Sequence, residues 1–437
     1  MYANFTRSRA SVQRLAQSVT ARQAALVAGA NGTSAALRLA VVLLLAGMMS
    51  EAEYGYLGIF IALLDTASIV CESGLHPALV RFFSGKSGGR AALVRRALLI
   101  KLGLVALCVG GALLGYGIFL ARLDIPGDYA WMYPAAVGAG ILLSFHMFGM
   151  AMLQALQRFG LYATLSVSIN AVRLVVLGAL IALGTPSFEL LAGLFFATPA
   201  VGALLGLLLV SAAWKRPASV DSEPGPGLRG LFAFMAPLAI VQWLVIAVER
   251  GDIWLLQALT APEETASLVL AKQAALIFPI MAQALFTVLL PKVAAIEDRD
   301  ALRAYRRRVI RLAPVFAALG VVAMFAAPPV LQWLLGGRYA AAMPVLMVLY
   351  FAYGFSLIQN PLSLVFYALD RVHHITLMHA LQVPLFFGSC IVLIPNFGAM
   401  GAAVSYLVIR LFAVLYMLVF TARALRDSPP NAEFNQP

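Results

Sequence analysis

Gly127-Asp128-Tyr129-Ala130-Trp131-Met132-Tyr133-Pro134 and Gly337-Arg338-Tyr339-Ala340-Ala341-Ala342-Met343-Pro344 share one spacing, G-x-Y-A-x-x-x-P, and each opens an apolar run. At the far ends of these runs stand Ala155-Leu156-Gln157-Arg158 and Ala368-Leu369-Asp370-Arg371. The offsets between the copies, 210 and 213 residues, are nearly equal, so the chain carries an internal repeat. The copies lie six apolar runs apart, an even number, which gives the two halves parallel topology. Repeated halves of this kind imply a pseudo-two-fold axis along the membrane normal and a substrate site between lobes.

Composition requires the membrane. Of 437 residues, 62% are hydrophobic and 11% charged, against about 25% charged in a soluble domain. A helix crosses the hydrocarbon with about 20 apolar residues, at about 1.5 Å each. Suitable runs occur near 25–48, 54–76, 93–120, 130–156, 161–184, 188–213, 231–258, 266–290, 312–335, 343–368, 375–395 and 398–421. They lack the apolar–polar alternation of a transmembrane β-barrel. The expected fold is therefore an all-α integral membrane protein. It has about 12 transmembrane helices in two parallel-topology six-helix bundles around a central cavity. The expected division is a cytoplasmic segment 1–24, a lobe 25–213, a Pro/Gly-rich linker 214–228, a lobe 229–421 and a tail 422–437.

Charge fixes the orientation. With the N-terminus in the cytoplasm, inner segments hold 24 Lys/Arg, including Arg81, Lys86, Arg90, Arg95, Arg96 and Lys101 and the cluster from Lys292 to Arg311; outer loops hold Arg122 and Arg338 alone. Basic residues are retained on the cytoplasmic side, so both termini are expected there, in the cytoplasmic (inner) membrane. The net charge of +12 follows from this topology and points to no nucleic-acid partner.

Five basic residues fall within runs (Arg38, Arg173, Arg250, Lys272 and Arg410), with the acids Asp65, Glu72, Glu249 and Asp252. A charge at a spanning-helix centre costs about 2.5–3.5 kcal/mol on the lenient insertion scale, so such groups pair or line watery cavities. Asn31, Ser34 and Arg38 make one helical stripe; Asp65, Ser68 and Glu72 make another; Ser166, Asn170 and Arg173 make a third. The cavity residues read from this pattern are Arg38, Arg173, Arg250, Lys272, Arg410, Asn31 and Asn170. Arg suits an anion such as a diphosphate. Asp65, Asp252 and Glu249 are candidates for coupling to H+ or Na+. The structural alternative pairs Asp65 with Arg38, and Glu249 or Asp252 with Lys272. Glu72 is expected at the interfacial end of its helix. Pro279 and Pro361 are among several prolines inside runs, each able to interrupt a helix.

Enzyme signals are few. Glu51-Ala52-Glu53 could bind a metal in a membrane glycosyltransferase, but every outer loop is about ten residues or fewer. His373-His374 lacks companions for a metal site and reads as a solvated loop. No Gly-Lys-Ser/Thr phosphate loop is present. Cys71, Cys108 and Cys390 read as small core residues. No catalytic residue, metal site or cofactor is expected.

Glu53-Tyr54-Gly55-Tyr56-Leu57, Gly74-Leu75 through Arg81, Leu290-Pro291-Lys292, Leu335 through Leu346, and Ile394-Pro395-Asn396-Phe397-Gly398-Ala399-Met400-Gly401 together resemble polysaccharide flippases. That family belongs to the multidrug/oligosaccharidyl-lipid/polysaccharide exporter superfamily. The chain departs from the family at Thr265-Ala266-Ser267-Leu268-Val269-Leu270-Ala271, which lacks the usual Gly and Tyr. The resemblance implies a V of two bundles and the flipping of an isoprenoid-diphosphate-linked oligosaccharide for polysaccharide biosynthesis by alternating access. The implied partners are the lipid-linked glycan and membrane lipids, with other polysaccharide-assembly membrane proteins as further candidates. A cation-coupled multidrug exporter of the same superfamily is the alternative.

Overall fold

A computed structural model describes residues 19–83, 90–184, 186–213, 227–294, 296, 298–335 and 337–426. Most of the N-terminal segment, the linker and the tail, with Arg7, Arg9, Arg14 and Lys86, lies outside these residues. The described elements are helical: α1 Val19–Met48, α2 Glu51–Glu72, α3 Leu75–Phe83, α4 Arg90–Arg122, α5 Met132–Ala155, α6 Phe159–Leu183, α7 Phe188–Ala213, α8 Leu228–Leu259, α9 Pro262–Ala275, α10 Ile277–Ala294, α11 Arg299–Leu334, α12 Ala342–Gly354, α13 Ser356–Ala368 and α14 His373–Arg426. Eleven segments among the described residues are long and apolar enough to cross a membrane. The last, α14, has 54 residues and is broken at Gly398 (φ 53°, ψ −133°), so it supplies the eleventh and twelfth expected spans.

Local chemistry sets the ends. Ser50 and Glu53 form a reciprocal capping box at α2, the Glu53 carboxylate accepting from Ser50 N and Oγ, both at 2.8 Å. Asp298 caps α11 through Asp300 N and Ala301 N. Pro262 stands in the first turn of α9, followed by Glu263 and Glu264, where a helix dipole favours negative charge.

Three expected spans are interrupted. Ser73 and Gly74, with φ of 37° and 78°, separate α2 from α3. The segment after α2, which runs beyond the expected span 54–76, is a helix that buries Leu75, Ala78, Leu79 and Phe83 on one face. The eighth run breaks at Leu276 into α9 and α10, because Pro279 offers no N–H to the carbonyl four residues back. The tenth breaks at Phe355 into α12 and α13.

The repeat has matching backbone geometry at both ends. Tyr133 N bonds Ala130 O and Met343 N bonds Ala340 O, each at 3.2 Å. At the far ends, Gln157 (φ 57°) and Asp370 (φ 54°) are both left-handed. Leu156, Gln157 and Arg158 donate to Met152, Gln154 and Leu153; Leu369, Asp370 and Arg371 donate to Val365, Tyr367 and Phe366. The second copy is the one broken at Phe355, and it is longer, which accounts for the unequal offsets.

Burial repeats with the same period. In the segments Glu51–Phe83, Gly127–Ala155, Pro262–Gln283 and Ala342–Ala368, 61–72% of the most apolar stretch is buried, against 11% in Arg299–Leu334 and 17% in Ala91–Arg122. The second and fourth spans of each half are thus inner helices. The exposed ones present residues such as Leu114 (83% exposed) and Trp333 (81%), as a lipid solvent allows.

Packing divides the chain into two compact units. The first comprises Met1–Val41, Phe60–Ala121 and Ile125–Trp243; the second Val42–Ile59, Arg122–Asp124 and Leu244–Pro437. In the first, α5 lies against α7 through small residues. A Cβ on Gly149 would come within 3.0 Å of Gly206 Cα, and one on Gly202 within 2.8 Å of His146 Nδ1. Gly202 and Gly206 are a G-x-x-x-G pair, which lets helices approach where lipid supplies no hydrophobic drive between them. In the second unit, Gly320 of α11 meets Gly354 of α12 in a looser version of that contact.

Candidate functional site

Within the first unit, the polar stripes of α1 and α6 interlock. Ser34 Oγ donates to Ser166 O (2.8 Å), and Asn170 Nδ2 donates to Ser34 O (3.1 Å) and Oγ (3.0 Å). Asn31, one turn before Ser34, is exposed and bonds the Tyr162 hydroxyl. Arg173 extends this ladder and is 8% exposed. Its Nε donates to Thr198 Oγ1 (2.6 Å), an Nη to Phe195 O (3.0 Å), and its guanidinium lies 3.7 Å from the Phe195 ring centroid. Arg38 and Asp65, both half-buried, act on Arg173 electrostatically. Sequence spacing placed these groups on faces; the side chains of α7 that hold Arg173 had no signal in it.

A second pair in this unit corrects one expectation. Glu72, the last residue of α2, is 2% exposed and lies 3.6 Å from Lys101 Nζ, and Lys101 is fully buried within α4 rather than part of the inner basic loop. Lys101 also donates to Cys71 O (3.3 Å) and lies over the Phe145 ring. The bend at Ser73 and Gly74 beside it is held by Gln242 Oε1, which accepts from Gly74 N (2.8 Å), and by Trp243 Nε1 on Ser73 Oγ (3.2 Å).

The second unit gathers all of its sequence-read charges. Lys272 donates to both Asp252 oxygens (2.9 and 2.8 Å) and to Glu249 O (2.7 Å). Arg410 reaches Glu249 Oε1 at 3.1 Å. The Tyr406 hydroxyl bonds both Glu249 and Arg410, Tyr353 OH lies 3.5 Å from Glu249 Oε2, and Arg410 stacks over Tyr406 and Tyr353. Arg250 acts on both acids. The two carboxylates differ in access: the Asp252 side chain is 1% exposed, whereas that of Glu249 is 28% exposed. Tyr353 and Tyr406 were not read from the sequence. The i, i+4 spacing of Tyr406 and Arg410 is the one signal that could have found them.

The sequence motifs do structural work. Glu53 is spent on its cap, and Glu51 accepts from Tyr339 N at 3.4 Å. Tyr339 OH donates to Ala46 O (3.1 Å), and burial, with Glu51 and Glu53 nearby, pushes its pKa well up, so it stays protonated. Gly55 leaves no room for a Cβ beside Pro262 O. At Gly398 the chain turns against the Glu264 carboxylate, which accepts from Ala399 N (2.7 Å) and caps the last helix. Thr265–Ala271, the stretch that departs from the flippase pattern, lies buried inside α9. His374 is no solvated loop residue: it begins α14 stacked on Phe366 at 5.0 Å, while His373 is exposed.

A family model described as polysaccharide biosynthesis protein matches residues 20–297. The chain belongs to that family. No curated protein sequence matches it. Among solved structures, it is similar to an inward-facing multidrug resistance MATE family transporter of the MOP superfamily. The TM-score is 0.69 at 12% identity, covering 90% of this chain and 96% of that one. The lipid II flippase MurJ in an inward closed conformation gives TM-score 0.69 at 14% identity, covering 92% and 89%. A MOP superfamily transporter from Pyrococcus furiosus, described as having a binding pocket of reverse polarity, gives 0.61 at 14%, covering 93% and 96%. The chain therefore has the fold of these multi-pass membrane transporters, with about twelve helices.

Proposed function

We propose that this protein moves an isoprenoid-diphosphate-linked oligosaccharide across the cytoplasmic membrane by alternating access, with both termini in the cytoplasm. The observation that carries the reading is the cationic end of the α1–α6 ladder. Buried Arg173 and half-buried Arg38 act on one another beside a single acid, Asp65, an excess of positive charge suited to a diphosphate. Family membership in polysaccharide biosynthesis supports a glycan cargo.

The second unit supports a coupling role. Asp252 is closed by Lys272, which removes it from reach of an exchanging cation. Glu249 is open on one side, held by two tyrosines and Arg410. It is the carboxylate we assign to H+ or Na+ coupling, ahead of Asp65 and Asp252.

The test is deletion of the gene in its source organism, followed by an assay of which leaflet holds the lipid-linked glycan. Completed glycan on the cytoplasmic leaflet, reproduced by Arg173→Ala, supports the flippase. Truncated glycan would point instead to a transferase, and an unchanged glycan pool with altered drug sensitivity to a drug exporter.

A further inference from the structure

The second unit holds a cavity of about 150 Å³ walled by α10, α13 and α14. Gln283 and Phe286 come from α10, Gln359, Ser363 and Tyr367 from α13, and His379 from α14. None of its described lining residues is Asp, Glu, Lys or Arg, although the Glu249–Arg410 cluster lies close enough to act on His379. Gln359 is 5% exposed, and its Oε1 has no hydrogen-bond partner among the described residues. An amide oxygen buried in this way costs about 1–3 kcal/mol, a cost that a hydroxyl donor in the cavity removes. Ser363 gives its hydrogen to Asn360 O at 2.7 Å, which leaves the oxygen free to accept. The Phe286 and Tyr367 rings meet edge to face, 5.7 Å apart.

Amides, a hydroxyl and aromatic rings without a charged side chain do not suit a phosphate, which draws Arg. Nor do they suit an acyl chain, against which the amides would be stranded. They match a neutral sugar ring, whose edge presents hydroxyls and whose face is apolar. The volume equals about five waters at about 30 Å³ each, the bulk of one ring rather than of a chain of them. Tyr367 stands one residue before the end of α13, and Ile375, also in the lining, two residues after the start of α14. The cavity is therefore near the α13–α14 turn, which the charge count places on the cytoplasmic side, where a headgroup would load.

We propose that this cavity, with Gln359 as acceptor, is a saccharide subsite for one neutral sugar of the lipid-linked glycan. The proposal rests on the flippase reading above. The test uses the full-length protein in nanodiscs and measures binding of undecaprenyl diphosphate, bare or carrying glucose, galactose or N-acetylglucosamine. Wild type should bind at least one glycosylated carrier more tightly than the bare one. Gln359→Leu should lose about tenfold of that increment, as expected for one hydrogen bond, while keeping its affinity for bare carrier. Ser363→Ala, a smaller change, guards against misfolding and should lose part of the increment. If glycosylated and bare carriers bind wild type equally, or both variants keep the full increment, the subsite is refuted and the flippase reading stands. If wild type binds no carrier at all, the flippase reading fails and the subsite with it.

Discussion

Replacing Lys272 with Met removes the cation from a pair that is closed on every side. Both side chains are 4% exposed or less, and Asp252 receives two of the Lys272 hydrogen bonds. Asp252 Oδ1 also accepts from Ile253 N at 2.9 Å. Breaking a buried pair in this way costs about 3–5 kcal/mol, because the surviving charge keeps its desolvation penalty without its partner. An exposed pair would cost less than about 1 kcal/mol. Lys272→Met/Asp252→Leu removes both charges and should recover most of the loss. About 1 kcal/mol should remain for the lost hydrogen bond to Glu249 O. The assay is unfolding in mixed micelles with tryptophan fluorescence, run as a double-mutant cycle. The double mutant should be about 2–4 kcal/mol more stable than Lys272→Met alone, and the coupling energy should exceed that by the cost of Asp252→Leu alone. Additive effects, or a single-mutant cost below about 1 kcal/mol, would refute the claim that Asp252 is permanently neutralised, and would return it to the coupling candidates.

Other consequences are open to simpler measurements. Gly398→Ala puts a Cβ into the Glu264 carboxylate at a left-handed φ; the strain of about 1–2 kcal/mol or more should lower the melting temperature, and Glu264→Ala should relieve the clash but lose the cap. Arg173→Ala should abolish flipping more completely than Asn170→Ala in the leaflet assay, and Arg173→Lys should not restore it, since Lys cannot reproduce the paired bonds to Thr198 and Phe195; full rescue by Lys would reduce the role to bare charge. Gly202→Leu should prevent the close approach of α5 and α7 and deplete folded protein from membranes; normal yield would mean that contact is loose. Reporter fusions at the C-terminus should be active only in the cytoplasm, and an external signal would overturn the orientation.

Most of the fold could be read in the sequence because a bilayer imposes a coarse rule. Each crossing needs its run of apolar residues whatever lies beside it, and the basic residues sort to one side. What the rule does not specify is a helix's interior. The breaks at Ser73, Leu276 and Phe355 leave the apolar run intact, so they carry no hydropathy signal. Charge partners were half legible for the same reason. Spacing gives the face of a helix but not its neighbour. Lys272 could have taken either Glu249 or Asp252; it takes the side chain of one and the backbone of the other. Lys101 was misplaced because it follows Arg90, Arg95 and Arg96 so closely that it reads as one more residue of the basic segment.

The burial pattern of the spans has a consequence for how the chain is made. The four inner segments are less apolar than most of the outer ones, since protein neighbours rather than acyl chains surround them. Each emerges during synthesis before all of its neighbours exist. A segment such as Pro262–Gln283, which carries Lys272, partitions poorly into lipid on its own. Its insertion then depends on the preceding helix, already made, still standing beside the translocation machinery with Asp252 within reach. Mutations that merely weaken that early encounter would reduce the amount of protein in the membrane while leaving the finished molecules unaltered.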